Sequence, residues 1–281
     1  MTIAEEALRM VFTDLDGSLL DHHNYSFHAA LPALQALRQA AIPVIPVTSK
    51  CRDEVQALRS RLENGHPFIV ENGAAVYIPE GYFPTQPAGT TARGSYWVCE
   101  LGAPRQRWLQ LLASLEGEFG DDFEYFFRAG DEGIAAMTGL PVEQAALANR
   151  REYSEPVQWR GSAAGRRAFI EALQAGGATV LQGGRFLSVA GGSDKGRALC
   201  WLRQACVQAR GATTCHDLAI GDSGNDCAML EVAETALLVR SPVHDFPVLA
   251  RTAGVLRSQA YGPAGWAQGV ARWLQHFPQL G

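Results

Sequence analysis

Lysine is the residue this chain nearly does without. Of its 24 basic residues, two are lysines, Lys50 and Lys195, and the other 22 are arginines. Positive charge as a whole is in short supply. The formal net charge is −5 and the isoelectric point lies near 5.8, which argues against the basic face of a nucleic-acid-binding protein. No apolar run reaches the roughly 18 residues of a membrane span. The opening Met1-Thr2-Ile3-Ala4-Glu5-Glu6 is acidic and lacks the basic n-region of a secretory leader, so a cytoplasmic protein without a membrane partner is expected. The six cysteines contain no C-x-x-C pair, which argues against a structural zinc site and for reduced thiols buried as small hydrophobes. Charged residues are 19% and hydrophobic residues 47%, a balance that excludes disorder.

The 281 residues suit about two domains. Leu8 to Thr13 reads as a short buried strand, followed by the polar loop Asp14-Leu15-Asp16-Gly17-Ser18. Ser26 to Ala40 has helical spacing, with Leu31, Leu34 and Leu37 apolar. Ile42 to Val47 is a second strand, Arg52 to Leu62 a helix, and Phe68-Ile69-Val70 a third strand. Strands alternating with helices point to a parallel α/β sheet. The texture changes near Gly81. Strands are expected at 96–101, 123–128, 157–160, 179–182 and 186–190, with helices at 105–119, 142–151 and 164–175 between them. The first texture resumes at Asp194-Lys195-Gly196, with helices from Arg197, Cys227 and Tyr261 and strands at 217–220 and 236–239. The expected organisation is therefore a core of 1–80 and 191–281 interrupted by an α/β insert over 81–190.

Four strand ends and helix starts carry polar residues, and in an open parallel sheet such ends converge on one edge, where ligands bind. The first is Asp14-x-Asp16. One carboxylate can act as a nucleophile that splits a difficult step into two, and a second carboxyl can serve as general acid and then base. The second is Thr48-Ser49-Lys50, where a hydroxyl also suits a helix N-cap and a helix N-terminus attracts phosphate. The third is Lys195, one of the two lysines, whose ammonium is a compact point charge. The fourth is Gly221-Asp222-x-x-Asn225-Asp226. Oxygen donors of this kind suit Mg²⁺, whose charge offsets that of a phosphate lying beside carboxylates.

The string Val11-Phe12-Thr13-Asp14-Leu15-Asp16-Gly17-Ser18, followed in order by Thr48, Lys195 and Gly221-Asp222-x-x-Asn225-Asp226, resembles the haloacid dehalogenase superfamily. The resemblance implies a Rossmann-like core, an aspartyl-phosphate formed on Asp14, acid–base work by Asp16, a phosphoryl-binding hydroxyl at Thr48, and Lys195 neutralising the phosphoryl oxygens. It implies Mg²⁺ held by Asp14, Asp16, Asp222 and Asp226, with Asn225 orienting that shell. An insert between the second and third motifs resembles the C2-type cap of the Cof-like branch, which closes over the site and selects the substrate. The strings Ile42 to Lys50, Phe68 to Ala75 and Arg151 to Pro156 are similar to the mannosyl-3-phosphoglycerate phosphatases within that branch.

Such a substrate is a small phosphorylated sugar that also carries a carboxylate. Ser49, Lys50, Asn72 and Asn225 at the core edge, and Ser154, Glu155 and Arg185 in the insert, are the expected substrate-binding residues. Lys50 and Arg185 are expected to be spare cations for the carboxylate, and Ser154 and Glu155 to meet sugar hydroxyls. His22, His23 and His28 are expected to be solvated loop residues, since Mg²⁺ prefers oxygen. Alternatives within the fold are a phosphatase for another sugar phosphate or for glucosyl-3-phosphoglycerate, and a phosphomutase.

Overall fold

A computed structural model describes residues 7–277 apart from Gly184. The chain runs β1 (Leu8–Thr13), α1 (Leu31–Gln39), β2 (Val44–Pro46), α2 (Arg52–Arg61), β3 (Phe68–Val70), β4 (Ala75–Pro79), β5 (Thr91–Arg93) and β6 (Tyr96–Glu100). It continues through α3 (Arg105–Phe119), β7 (Phe123–Tyr125), α4 (Phe126–Thr138), α5 (Val142–Asn149), β8 (Glu155–Trp159), α6 (Ala163–Ala175), β9 (Thr179–Gly183) and β10 (Phe186–Ala190). It closes with α7 (Lys195–Arg210), β11 (Cys215–Gly221), α8 (Cys227–Val232), β12 (Thr235–Arg240), β13 (Val255–Tyr261) and α9 (Gly262–Leu274). Among the described residues no helix is long and apolar enough to cross a membrane.

The central sheet has the order β13-β12-β11-β1-β2, and every pairing in it is parallel. Its inner strands β12, β11 and β1 are largely apolar on both faces, as a sheet covered on both sides requires. Side chains alternate between two cores. Val11, Leu218, Ile220, Leu237 and Val239 pack with Leu37, Trp266 and Trp273 on one face. Met10, Phe12, Ala219, Ala236 and Leu238 pack with Leu199, Leu202 and Met229 on the other. Trp266 on α9 is fully buried, and its indole Nε1 donates to Thr13 Oγ1 at 2.9 Å, tying the last helix to the end of β1.

Strand β3 does not extend the parallel sheet as a full member. It heads an antiparallel sheet of order β3-β4-β6-β5 and touches β2 through one parallel bridge, Val47 to Ile69. The reason is local. Glu71, Asn72 and Gly73 all have positive φ, which reverses the chain at once into β4 with no room for a crossover helix. This sheet runs across residue 80, where the insert was expected to begin.

The elements from α3 to β10 form a separate antiparallel sheet, β7-β8-β10-β9, with a core of its own: Trp108, Leu112, Phe123, Val157, Phe169, Leu173, Leu187 and Val189. Two local readings differ from the sequence pattern here. The aromatic run from Phe123 reads as strand, but the strand ends at Tyr125 and α4 begins at Phe126, interrupted where Gly130 takes φ 64°. Strand β13 escapes the pattern because Val255-Leu256-Arg257-Ser258-Gln259 is an edge strand with polar positions.

Replacing Trp266 by alanine is expected to lower the unfolding free energy by about 3–5 kcal/mol, measured by denaturant titration. Trp266→Phe keeps a smaller aromatic ring and loses the bond to Thr13 and part of the packing, so it is expected to cost less, about 2 kcal/mol.

Candidate active site

The loop after β1 places Asp14 and Asp16, the turn after β2 places Thr48 to Lys50, and the turn after β11 places Asp222 to Asp226. Lys195 enters from the start of α7, where the Asp194 side chain caps the helix by accepting from the Gly196 and Arg197 amides. Two glycines allow this convergence. A Cβ on Gly17 would lie 2.6 Å from Asp222 Oδ2, and one on Gly73 would lie 2.2 Å from the Asp194 carbonyl oxygen. Both also have φ in the left-handed region.

At the centre, the Lys195 ammonium donates to Asp14 Oδ1 at 2.8 Å and to Asp226 Oδ1 at 2.6 Å. Burial opposes the charge on Lys195, but the two carboxylates more than offset this and hold its pKa above the ordinary value. Asp226 Oδ2 accepts the amides of Asp222 and Ser223, each at 3.1 Å. Asn225 Nδ2 donates to Asn72 Oδ1 at 3.1 Å, so the turn after β11 and the turn after β3 are stitched together across the site. Thr48 is buried, and its hydroxyl accepts the Lys50 amide at 3.1 Å. The N-cap of α2 is Cys51 rather than Thr48 or Ser49, and Glu54 completes its capping box by accepting the Cys51 amide.

Carboxylate oxygens of Asp14, Asp222 and Asp226 lie within 4.8 Å of one another, all on buried residues. The donors are all hard oxygens, and Asp222 Oδ1 is buried with no hydrogen-bond partner. That orphaned oxygen fits Mg²⁺. Both Asp226 oxygens are already engaged, by Lys195 and by the two amides. The Asp16 carboxylate stands outside this trio, contrary to its expected place in a four-carboxylate metal set. Its Oδ2 lies 2.7 Å from Lys50 Nζ, because residues two apart in the loop turn their side chains in different directions.

Several expected substrate contacts are internal ones. Glu155 is fully buried. Its Oε2 takes the Arg105 guanidinium at 2.5 Å and its Oε1 the Phe127 amide at 2.8 Å, which leaves it no free oxygen for a sugar. Ser154 is also fully buried and donates to Glu71 Oε2 at 2.7 Å. Arg185 donates to the Thr138 carbonyl and lies over Phe186, both contacts within the insert, while the adjoining Gly184 lies outside the described residues. Lys50 is paired with Asp16, so neither expected spare cation is unpartnered.

The sequence reading passed over a buried residue that joins the two parts of the chain. Glu71 accepts the backbone amides of Glu152, Tyr153 and Ser154, in addition to the Ser154 hydroxyl. Arg151 Nε lies 3.6 Å from Glu71, and its NH2 donates to the Ser49 carbonyl at 2.6 Å. Glu71 stands within the segment Phe68 to Ala75, and its position next to Asn72 was the available signal. His244, whose Nε2 approaches Asp222 Oδ2 at 3.3 Å, carried no such signal.

No protein-family model matches the chain. A glucosyl-3-phosphoglycerate/mannosyl-3-phosphoglycerate phosphatase of Methanococcoides burtonii is 34% identical over 261 residues, covering 93% of this chain and 95% of its own length. A mannosyl-3-phosphoglycerate phosphatase of Pyrococcus horikoshii is 36% identical over 238 residues, covering 84% and 93%. The chain belongs to the mannosyl-3-phosphoglycerate phosphatase family. Its fold is that of the haloacid dehalogenase phosphatases. The sucrose-phosphatase of Synechocystis matches with a TM-score of 0.59 at 14% identity, over 95% of this chain and 98% of that one. A subclass IIB sugar phosphatase of the superfamily matches with a TM-score of 0.56 at 15% identity, over 82% and 87%.

The carboxylate cluster ties stability to pH. Burial, and then the neighbouring Asp226, push the Asp222 carboxyl from 3.8 up to about 7. Burial, followed by Asp226, raises Asp14 as well, with Lys195 partly opposing. A folded-state pKa above the unfolded one stabilises the protein at low pH, and that contribution is lost as pH rises through the folded value. In chelator, the thermal midpoint is therefore expected to fall between about pH 4 and 7, and Mg²⁺ is expected to restore it at pH 8. A chelated midpoint that rises across that window would contradict this assignment.

Proposed function

We propose that the chain hydrolyses mannosyl-3-phosphoglycerate to mannosylglycerate and inorganic phosphate in a Mg²⁺-dependent reaction. The observation that carries the chemistry is the buried Lys195 ammonium, 2.8 Å from Asp14 and 2.6 Å from Asp226, beside an Asp222 oxygen without a partner. Support for the substrate comes from relatives that cover nearly the whole chain and are named for this ester. The double name of the Methanococcoides relative favours the glucosyl ester as a second substrate.

In the first half-reaction an Asp14 oxygen attacks phosphorus and the bond from phosphorus to the glycerate oxygen breaks. Asp16 gives the leaving oxygen its proton. In the second half Asp16 takes a proton from water, the water oxygen attacks phosphorus, and the bond from phosphorus to Asp14 breaks, which releases phosphate. Lys195 holds Asp14 in place and faces the negative phosphoryl oxygens. The Thr48 hydroxyl would donate to a phosphoryl oxygen, with Ser49, Asn72 and Asn225 around the same edge. Asp14 and Asp222, with Asp226 in support, would hold Mg²⁺, which when bound offsets the charge of a phosphate brought among carboxylates. The insert acts as a cap that excludes water and shapes the sugar site. Its start lies nearer α3 than residue 81, since β6 pairs with β4 and β5 pairs with β6.

Asp14→Asn is expected to abolish turnover while leaving the far-ultraviolet circular dichroism unchanged, because an amide is a poor nucleophile. A residual rate above about one tenth of wild type, roughly 1.4 kcal/mol of barrier, would remove Asp14 from this role.

The substrate is tested by phosphate release from mannosyl-3-phosphoglycerate, glucosyl-3-phosphoglycerate and hexose phosphates, with and without Mg²⁺. The phosphoglycerate esters are expected to be preferred by about 10- to 150-fold in kcat/KM, the worth of one hydrogen-bonded charge. Activity is expected to vanish in chelator and return with Mg²⁺. Better catalysis on a plain hexose phosphate would overturn the substrate while leaving the phosphatase chemistry standing.

A further inference from the structure

The Lys50–Asp16 ion pair occupies a curious place for a phosphatase. Asp16 is the acid that must reach the leaving oxygen, yet its Oδ2 is held at 2.7 Å by Lys50. Among the described residues no other side chain holds it, and its Oδ1 is buried without a hydrogen-bond partner. Lys50 itself is largely enclosed. Its ammonium lies over the Tyr25 ring at 5.4 Å and 3.9 Å from Glu54 Oε1. Glu54 is not free to move closer, because its other oxygen accepts the Cys51 amide at 2.9 Å as the N-terminal cap of α2. If Asp16 leaves, Lys50 keeps one distant carboxylate, and an enclosed cation with so little compensation is costly.

We propose that Lys50 is a specificity residue that works by exchange. Without substrate it parks Asp16 as a carboxylate; the carboxylate of the bound substrate then takes Asp16's place on Lys50, and the freed Asp16, which takes a proton from solvent once it has left the ammonium, swings to the leaving oxygen. The chemistry of the substrate fits this exchange. In a 2-O-glycosyl-3-phosphoglycerate the carboxylate is attached to the carbon next to the one bearing the phosphate ester, so it arrives beside Asp14 and Asp16 together. A hexose phosphate has no second anion to offer, so Asp16 stays on Lys50. Selection then acts on the chemical step and not only on binding. The inference rests on the substrate class proposed above and adds the means by which that class is recognised.

The test compares wild type with Lys50→Met on mannosyl-3-phosphoglycerate and on a hexose 6-phosphate, which shares an alkoxide leaving group and lacks the carboxylate. Wild type is first expected to prefer the phosphoglycerate ester; equal kcat/KM values on the two substrates would overturn the substrate class itself. Given that preference, Lys50→Met is expected to lose about 10- to 150-fold in kcat/KM on the phosphoglycerate ester. On the hexose phosphate its kcat is expected to rise, because Asp16 is no longer held. Opposite signs on the two substrates are what exchange alone produces. A loss on the carboxylate substrate with no gain on the other would reduce Lys50 to a simple binding group and overturn the exchange. Equal losses on both would overturn it as well, by placing Lys50 in the phosphoryl site or the fold. Lys50→Gln, neutral and closer in polarity, provides the same comparison should the methionine variant fail to fold.

Discussion

A buried ammonium between two carboxylates is the interaction on which the site depends. Asp14, Asp222 and Asp226 are drawn together by the ends of two neighbouring parallel strands and the turn that follows the second. Without a cation their mutual repulsion would push the loops apart or leave the carboxyls protonated. Lys195 supplies one positive charge from inside the protein. It enters from a helix whose N-cap, Asp194, sits against the backbone of Gly73, so its position is set by packing as well as by charge. One positive charge against three carboxylates leaves the cluster electron-rich, which suits a divalent ion and a phosphate arriving together.

The second organising feature is a relay of alternating charges that leads from the chemistry to the insert. Asp16 pairs with Lys50, Lys50 neighbours Glu54, Glu54 lies 3.9 Å from Arg151, and Arg151 meets Glu71. Glu71 in turn gathers the amides of residues 152–154. The segment leading into β8 is thus moored to the same turn that carries Asn72. The insert and the Asp16 carboxylate thus belong to one polar network.

The core motifs were legible because each is a short contiguous string at a strand end or helix start, where neighbouring residues are also neighbours in space. Asp14, Thr48, Lys195 and Asp222 needed the parallel topology to meet, and hydrophobic strand patterns announce that topology. The insert was less legible for the opposite reason. Glu155 looked like a sugar ligand because nothing near it in sequence reveals Arg105, which lies 50 residues away and neutralises it. Ser154 was misjudged in the same way, since Glu71 claims it across a long separation, and the pairing of Lys50 with Asp16 was equally out of view. The strand reading over Phe126 to Arg128 failed because aromatic residues favour strands as a class, while the chain needed a helix there to build a small second cluster with Ile134 and Ala145.

The near absence of lysine has a practical side. The two lysine side chains are Lys195, which is sealed inside the site, and Lys50, whose side chain is 20% exposed beside Asp16. The 22 arginines that cover the rest of the molecule are inert toward acylating reagents at neutral pH. Amine-directed chemistry, which decorates the whole surface of an ordinary enzyme, finds among these side chains one partly reachable target, and that target borders the active site. A succinimidyl ester or a reducible aldehyde therefore finds few side-chain amines on this protein, and coupling through the one at Lys50, whose proton the pairing with Asp16 holds in place, comes at the expense of its catalytic edge.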